Sequence, residues 1–399
     1  MPSLFSTVEM APRDPILGLN EQFNADPNPA KVNLGVGVYF DENGQLPLLK
    51  CVRAAEAMMM EAPKPRGYLP IDGIAAYDKA VQGLVFGADS EAVKAERIAT
   101  IQGLGGTGGL KVGADFLKRL NPSAQVLISD PSWENHRALF ESAGFSVTPY
   151  PYYDAASRGL NFAAMLAALQ LASPGTIVVL HACCHNPTGC DLSPAQWSQV
   201  VATLKARNLT PFLDMAYQGF GEGIAEDGAV VGLLVSAGLE FLVATSFSKS
   251  FSLYGERVGA LSIVCPTKDE ADRVLSQLKR VIRSNYSNPP IHGAQVVAIV
   301  LTTPALRAVW EEELAGMRQR IKQMRGALRY KLQATGLKQD FSFITEQKGM
   351  FSYTGLNRDQ MQRLRDEMGI YGVDSGRICV AALNGKNIDA VVRAIAAVA

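Results

Sequence analysis

Between about residue 97 and residue 265, short runs of Val, Ile and Leu alternate with segments of helical period, and each run ends in a polar or glycine-rich turn. The runs are "RIATIQ", "AQVLISD", "GTIVVLHA", "TPFLDMA", "EFLVATS" and "GALSIVC", with helical segments such as "LKVGADFLKRL" and "SPAQWSQVVATLKARN" between them. Strands that are apolar on both faces and separated by helices predict a parallel α/β sheet with helices packed against it. Ligands of such sheets bind beyond the carboxyl ends of the strands. The residues that follow each run therefore carry the functional information.

The flanks read differently. From "DEADRVLSQLKRVIRSNYSNPPIHGAQVVAIVL" onward long helices dominate, and "ALRAVWEEELAGMRQRIKQMRGALRYKLQATG" predicts one long amphipathic helix with its charges on the polar face. The end, "KGMFSYTGL" to "GRICVAAL", predicts short strands around one helix, a smaller α+β domain. With 399 residues, 48% of them hydrophobic, two domains have enough apolar material for their cores. Lys plus Arg equals Asp plus Glu at 38 each, so no net field draws nucleic acid or an anionic membrane, and a small molecule is the expected partner. The cysteines Cys51, Cys183, Cys184, Cys190, Cys265 and Cys379 are too few and too uneven for a secreted disulfide scaffold. The first residues lack the pattern of a signal peptide, and no apolar stretch reaches membrane-spanning length. A soluble, cytoplasmic protein is expected.

Four strand ends stand out. After the first run, Gly103, Gly105 and Gly108 match G-x-G-x-x-G, and Asp130 ends the next run at the spacing of a ribose-binding acid. The physics behind that pattern is more general, since glycines let backbone amides at a helix N-terminus approach any phosphate. Next, "LHACCHNPTGC" crowds His181, Cys183, Cys184, His185 and Cys190 together. Adjacent Cys183 and Cys184 should point to opposite sides of an extended segment, which argues against a metal site. The remaining feature of that turn is the exposed Asn186. Then Asp214 follows an apolar run, where burial is costly without a partner, with Tyr217 close behind. Lastly Lys249 follows a run and comes just after Ser246 and Ser248. Alone, a lysine after a strand is ordinarily just solvated.

Together these ends place a phosphate cradle, an Asn, an Asp with a Tyr, and a Lys among hydroxyls on one face of one sheet. That set fits a cofactor with a phosphate, a ring hydroxyl, a basic ring nitrogen and an aldehyde, and pyridoxal phosphate has those four handles. Arg257 and the serines would neutralise the phosphate through charge-assisted bonds.

The same residues carry a resemblance. The chain resembles the fold type I, class I pyridoxal-phosphate aminotransferases, the aspartate and aromatic amino-acid enzymes, from "DPILGL" and "VNLGVGVYFDE" through "YLPIDG", "GGTG", "DPSWENH", "HNPTG", "DMAYQGF" and "SFSKSFSLYGERVG" to "IRSNYSNPP", "GMFSYTGL" and "DSGRICVA". The resemblance implies a three-layer fold with a mostly parallel seven-stranded sheet. It implies an arm over residues 1–14, a small domain over 15–47 and 317–399, and a large cofactor-binding domain over 48–316. Lys249 would be the cofactor's covalent anchor and then the general acid and base of the 1,3-proton shift. Asp214 would hold the ring nitrogen, supported by His136 and more distantly His181, with Trp133 stacked on the ring. Asn186 and Tyr217 would meet the phenolic oxygen, while Gly106, Thr107, Ser246, Ser248 and Arg257 would hold the phosphate.

For the substrate, the resemblance implies that Arg377 takes the α-carboxylate and that Ile16, Leu17, Val36 and Gly37 line the mouth. Arg283, for a distal carboxylate, and Tyr68, for the phosphate, would reach in from the partner of a homodimer. Two features depart from a single branch: many relatives have serine where Gly105 stands, and Asn288 in "YSNPP" is typical of the aspartate enzymes. The expected activity is a ping-pong transfer of amino groups from aromatic (Tyr, Phe, Trp) and dicarboxylic (Asp, Glu) amino acids to a 2-oxo acid. The alternatives are an aspartate aminotransferase with little aromatic activity, a nicotinamide (NAD) dehydrogenase built on Gly103, Gly105, Gly108 and Asp130, and a non-catalytic binding protein on the same fold.

Overall fold

Successive side chains of a strand point to opposite faces of its sheet, and the strand Phe241–Ser246 obeys this strictly. Phe241 and Val243 enter one hydrophobic cluster, while Leu242 and Ala244 enter a second on the opposite side. A strand buried on both faces needs a layer of helices on each. The computed structural model, which describes residues 3–399, has that arrangement. Seven strands form one sheet: β1 (Ile98–Leu104), β2 (Gln125–Asp130), β3 (Ser146–Pro151), β4 (Ile177–His181), β5 (Thr210–Met215), β6 (Phe241–Ser246) and β7 (Val258–Val264). Their order across the sheet is β1-β7-β6-β5-β4-β2-β3.

The sheet is the mostly parallel, seven-stranded one that the resemblance implies, and two details go beyond what the apolar runs alone indicate. Strand β7 runs antiparallel to both β1 and β6, so the sheet is mostly rather than wholly parallel. The β6–β7 connection holds turns and one short 3₁₀ segment, and a return without a crossover helix reverses direction. Strand β3 was not among the expected runs. Its sequence "SVTPYP" carries two prolines and is mostly exposed, which only an edge strand tolerates.

Helix α1 (Gly105–Leu120) packs on the face formed by Ile101, Phe212 and Leu261, beside α2 (Glu134–Ser142) and α3 (Lys268–Asn285). The long α4 (Pro304–Ala334) lies on the other face with its Trp310, Leu314 and Ile321 buried. The chain's first ordered strand, Val32–Asn33, pairs in parallel with Ile370–Tyr371, and Phe351–Tyr353 pairs antiparallel with Arg377–Cys379. These pairings bring residues from both chain ends to the rim of the large sheet. Among the described residues no single helix is long and apolar enough to cross a membrane.

Candidate active site

Register explains why distant residues meet. His181 of β4 lies directly beside Asp214 of β5. By alternation both share the face of Val179 and Phe212, the face covered by α1 and α2. There α2 supplies His136, whose Nε2 lies 2.8 Å from Oδ2 of Asp214, while Ser132 Oγ lies 2.9 Å from His136 Nδ1. Beyond these strand ends opens a cavity of about 640 Å³. Its wall includes Gly37, Gly106, Thr107, Trp133, Asn186, Asp214, Tyr217, Ser246, Ser248, Lys249, Arg257 and Arg377, with Ile16, Leu17 and Val36 at the mouth.

The middle of the cavity is set up for a basic ring. Burial raises the Asp214 carboxyl, but the His136 hydrogen bond, with the electrostatic pull of His136 and Lys249, prevails and holds it below its ordinary value. His181 is pushed well below the usual histidine range, first by burial and then by its histidine neighbours, so it is neutral, and its buried Nε2 has no hydrogen-bond partner. Lys249 Nζ stands 4.8 Å from the centre of the Tyr217 ring. Burial, only partly offset by Asp214 and reinforced by Arg257 and Arg377, lowers this amine to about 8.

A neutral amine attacks a carbonyl; an ammonium does not. The uptake rate of pyridoxal phosphate by cofactor-stripped protein is therefore expected to rise roughly tenfold per pH unit below about 8 and then level off. Stopped-flow absorbance checks this. A rate still climbing at the ordinary lysine value of 10.5 overturns the assignment of a lowered amine.

One end of the cavity is built for an anion. Helix α1 begins there, so its unpaired N–H groups and dipole face the space that Ser246, Ser248 and Arg257 surround. A Cβ on Gly106 would lie 3.1 Å from that of Ser246, so only glycine leaves this cradle open. Gly105 has φ +67°, and a Cβ there would lie 2.5 Å from Nη2 of Arg257. A side chain at 105 and the observed placement of Arg257 thus exclude one another. Arg257 is fixed by donating to the Tyr254 carbonyl at 2.9 Å. These groups, with the amine and the carboxylate, fit pyridoxal phosphate handle by handle.

The other end holds a second cation. Arg377 is 1% exposed and donates to the Gly35 carbonyl at 2.7 Å and to Oδ1 of Asn186 at 3.0 Å; Asn186, expected to be exposed by its turn, is instead buried against this guanidinium. Its guanidinium lies 4.3 Å from the centre of the Phe351 ring, yet its Nε has no partner. A buried fork with a spare donor is matched to a carboxylate.

Two expected residues are not brought to the cavity. Tyr68 is 97% exposed, and Arg283 is exposed on α3 with Ser287 Oγ as its acceptor. Asp130, the acid of the dinucleotide pattern, is exposed and also absent from the cavity wall. The geometry of Cys183 and Cys184 corrects the reading above. Cys184 has φ +51°, so the segment is not extended, and both sulfurs come within 4.8 Å of an Asp227 carboxylate oxygen. That carboxylate already accepts from the N–H groups of Gly219, Gly221 and Glu222. The sequence reading also missed Tyr254, Ser132 and Phe351. Tyr254 lines the cavity and its Oη accepts from Tyr39 N–H at 2.9 Å; its place five residues after Lys249 was the available signal.

The family model for aminotransferases of class I and II matches residues 29–395. The chain is 64% identical to an aspartate aminotransferase of Pseudomonas aeruginosa, over 98% of this chain and 99% of that one. It is 51% identical to the aromatic-amino-acid aminotransferase of Escherichia coli, over 99% and 100% respectively. The crystal structure of an aromatic-amino-acid aminotransferase from Burkholderia pseudomallei, covalently bound to pyridoxal phosphate, superposes with a TM-score of 0.97 at 66% identity and covers both chains fully.

Proposed function

The chain belongs to the class I and II aminotransferases and uses pyridoxal 5'-phosphate, and on that premise we propose that it transfers amino groups from both aromatic and dicarboxylic amino acids to a 2-oxo acid such as 2-oxoglutarate. The observation that carries this reading is the convergence, in one cavity, of the Lys249 amine, the His136-supported Asp214 carboxylate, and two arginines, Arg257 and Arg377, one at each end. Relatives with aspartate and with aromatic specificity in their names support the double substrate range.

The bound cofactor supplies an electron sink for negative charge at the substrate α-carbon. In our assignment Asp214 keeps a proton on the ring nitrogen, and Ser132 orients His136 to support it. Tyr217 and Asn186 would meet the ring oxygen, Trp133 would face the ring, and Gly106, Thr107, Ser246, Ser248 and Arg257 would hold the phosphate. Lys249 would hold the aldehyde end. The free Lys249 amine, lowered to about 8, would hold and move the α-proton. Arg377 forks onto the α-carboxylate, and Gly37 with its neighbours closes the mouth as residues 15–47 and 317–399 move as a small domain against the large one.

Arg283 and Tyr68 act from a second copy in this reading, so the enzyme is a homodimer. The exposed side chains of Leu4, Phe5 and Val8 on the N-terminal arm support such a contact, because water is a poor neighbour for them. All six cysteines are free thiols, which suits the cytoplasm.

The assignment is tested on purified protein. A yellow colour whose visible band is bleached by borohydride, with turnover of aspartate, tyrosine and phenylalanine against 2-oxoglutarate, is expected; a colourless protein that binds NAD overturns it. Negligible kcat/KM for tyrosine and phenylalanine beside aspartate would leave a dicarboxylate-only enzyme. The residue Arg283 separates the two substrate classes. Arg283→Leu is expected to lower kcat/KM for aspartate by about 10- to 100-fold, the range for a lost charge-assisted bond, while phenylalanine changes by less than about threefold. Equal losses for both would remove Arg283 from the distal site.

A further inference from the structure

Helix α4 carries one charge that is not on its polar face. Arg325 is 3% exposed, and its partners are backbone carbonyls: Ile344 at 2.9 Å, Lys348 at 3.3 Å, Gly349 at 2.8 Å, and Phe351. A buried guanidinium is costly unless its donors are satisfied, and here four carbonyls from one eight-residue segment take up Nη1 and Nη2, leaving only Nε without a partner. Lysine has no planar fork and cannot reproduce that set.

The segment it gathers borders the substrate site on both sides. Lys348 N–H donates to the Gly189 carbonyl at 2.7 Å, and a Cβ on Gly349 would lie 2.5 Å from that of Cys184, so the segment is pressed against the turn that carries Asn186. At its end, Phe351 places its ring under the Arg377 guanidinium, 5.8 Å from the Tyr217 ring centre, and 2.8 Å from a Cβ built on Gly37. Strand register then sets Phe351 opposite Cys379 and Tyr353 opposite Arg377. Arg377 is thus held by Asn186 on one side and Phe351 on the other, and both supports lean on the segment that Arg325 gathers.

We propose that Arg325 is a positioning residue for substrate binding: it fixes the backbone at Phe351 and so sets the orientation of the Arg377 fork that receives the α-carboxylate. This rests on the reading of Arg377 as that fork. A cavity of about 210 Å³ borders Arg325, between α4 and residues 220–222 and 345–349. When the guanidinium is removed, water has room to solvate the freed carbonyls, so the fold survives while the segment loosens.

The test uses holoenzyme carrying Arg325→Lys and Arg325→Met, with Arg377→Lys beside them. Both Arg325 variants are expected to raise KM for phenylalanine and for aspartate about tenfold or more, with kcat within about threefold. Binding of 3-phenylpropionate, a carboxylate without an amino group, is expected to weaken by the same factor, while the cofactor's visible spectrum stays as in the parent. A fall in melting temperature with KM and 3-phenylpropionate affinity unchanged would make Arg325 purely structural and overturn the proposal. So would a loss confined to kcat. If Arg325→Met does not fold, Arg325→Lys carries the test, since it keeps the charge and loses only the fork. Unchanged KM in Arg377→Lys would instead sink the fork assignment itself, whereas a raised KM there with none in the Arg325 variants sinks this proposal alone.

Discussion

Lys249→Ala is expected to lower kcat by at least about 10⁴-fold while the protein stays folded and still takes up pyridoxal phosphate. The rate loss follows from two roles removed together, the covalent anchor and the proton carrier, and general acid–base catalysis alone contributes up to about 10⁴-fold. Folding should not suffer, because burial disfavours the charge of this amine by more than its attraction to Asp214 favours it. Uptake survives because the phosphate cradle around Gly106, Ser246, Ser248 and Arg257 and the Asp214 carboxylate are left in place. The variant should thus be coloured, but borohydride should no longer fix the cofactor to the chain. Full turnover in this variant would refute the assignment of Lys249.

Asp214→Asn should cost on the order of 10³-fold in kcat, with a smaller effect on KM. An amide has nearly the same shape, so the change isolates charge. In the parent, the carboxylate is ionised in spite of burial because the His136 hydrogen bond and the Lys249 amine favour its charged form. A neutral amide cannot keep a proton on a ring nitrogen, and loss of one preorganised electrostatic contact to developing charge typically costs 10²–10³-fold. Asp214→Glu, which keeps the charge but shifts it by one methylene, should recover part of the loss. The measurement is kcat and KM for aspartate and phenylalanine in the three proteins. An Asn variant within tenfold of the parent would mean that Asp214 does not act on the cofactor ring.

Much of this site was legible because chemistry that sits at strand ends leaves a local mark. Asp214, Asn186 and Lys249 each follow an apolar run, and the glycines at 103–108 mark the helix start at the cavity wall. The sheet itself was legible in the same way, since six of its seven strands are continuous apolar runs. The seventh, "SVTPYP", was not, because an edge strand needs no apolar face and tolerates proline. The direction of β7 was also hidden, as a run of apolar residues has no sense of polarity relative to its neighbours.

What the sequence by itself determined was the set of groups proposed to react and the architecture that aligns them: an α/β sheet ending in an amine, an acid, an amide and a glycine-rich helix start. Periodicity and spacing are local properties, and they survive in one dimension. Only the tertiary structure decided how those groups are tuned and held. It placed His136 on Asp214 across 78 residues, put Phe351 beneath Arg377, turned Cys184 into a left-handed conformation, and buried Arg325 from a helix whose pattern reads as solvated. Those outcomes depend on which side chains from separate elements share a low-dielectric space, and no short-range pattern encodes that.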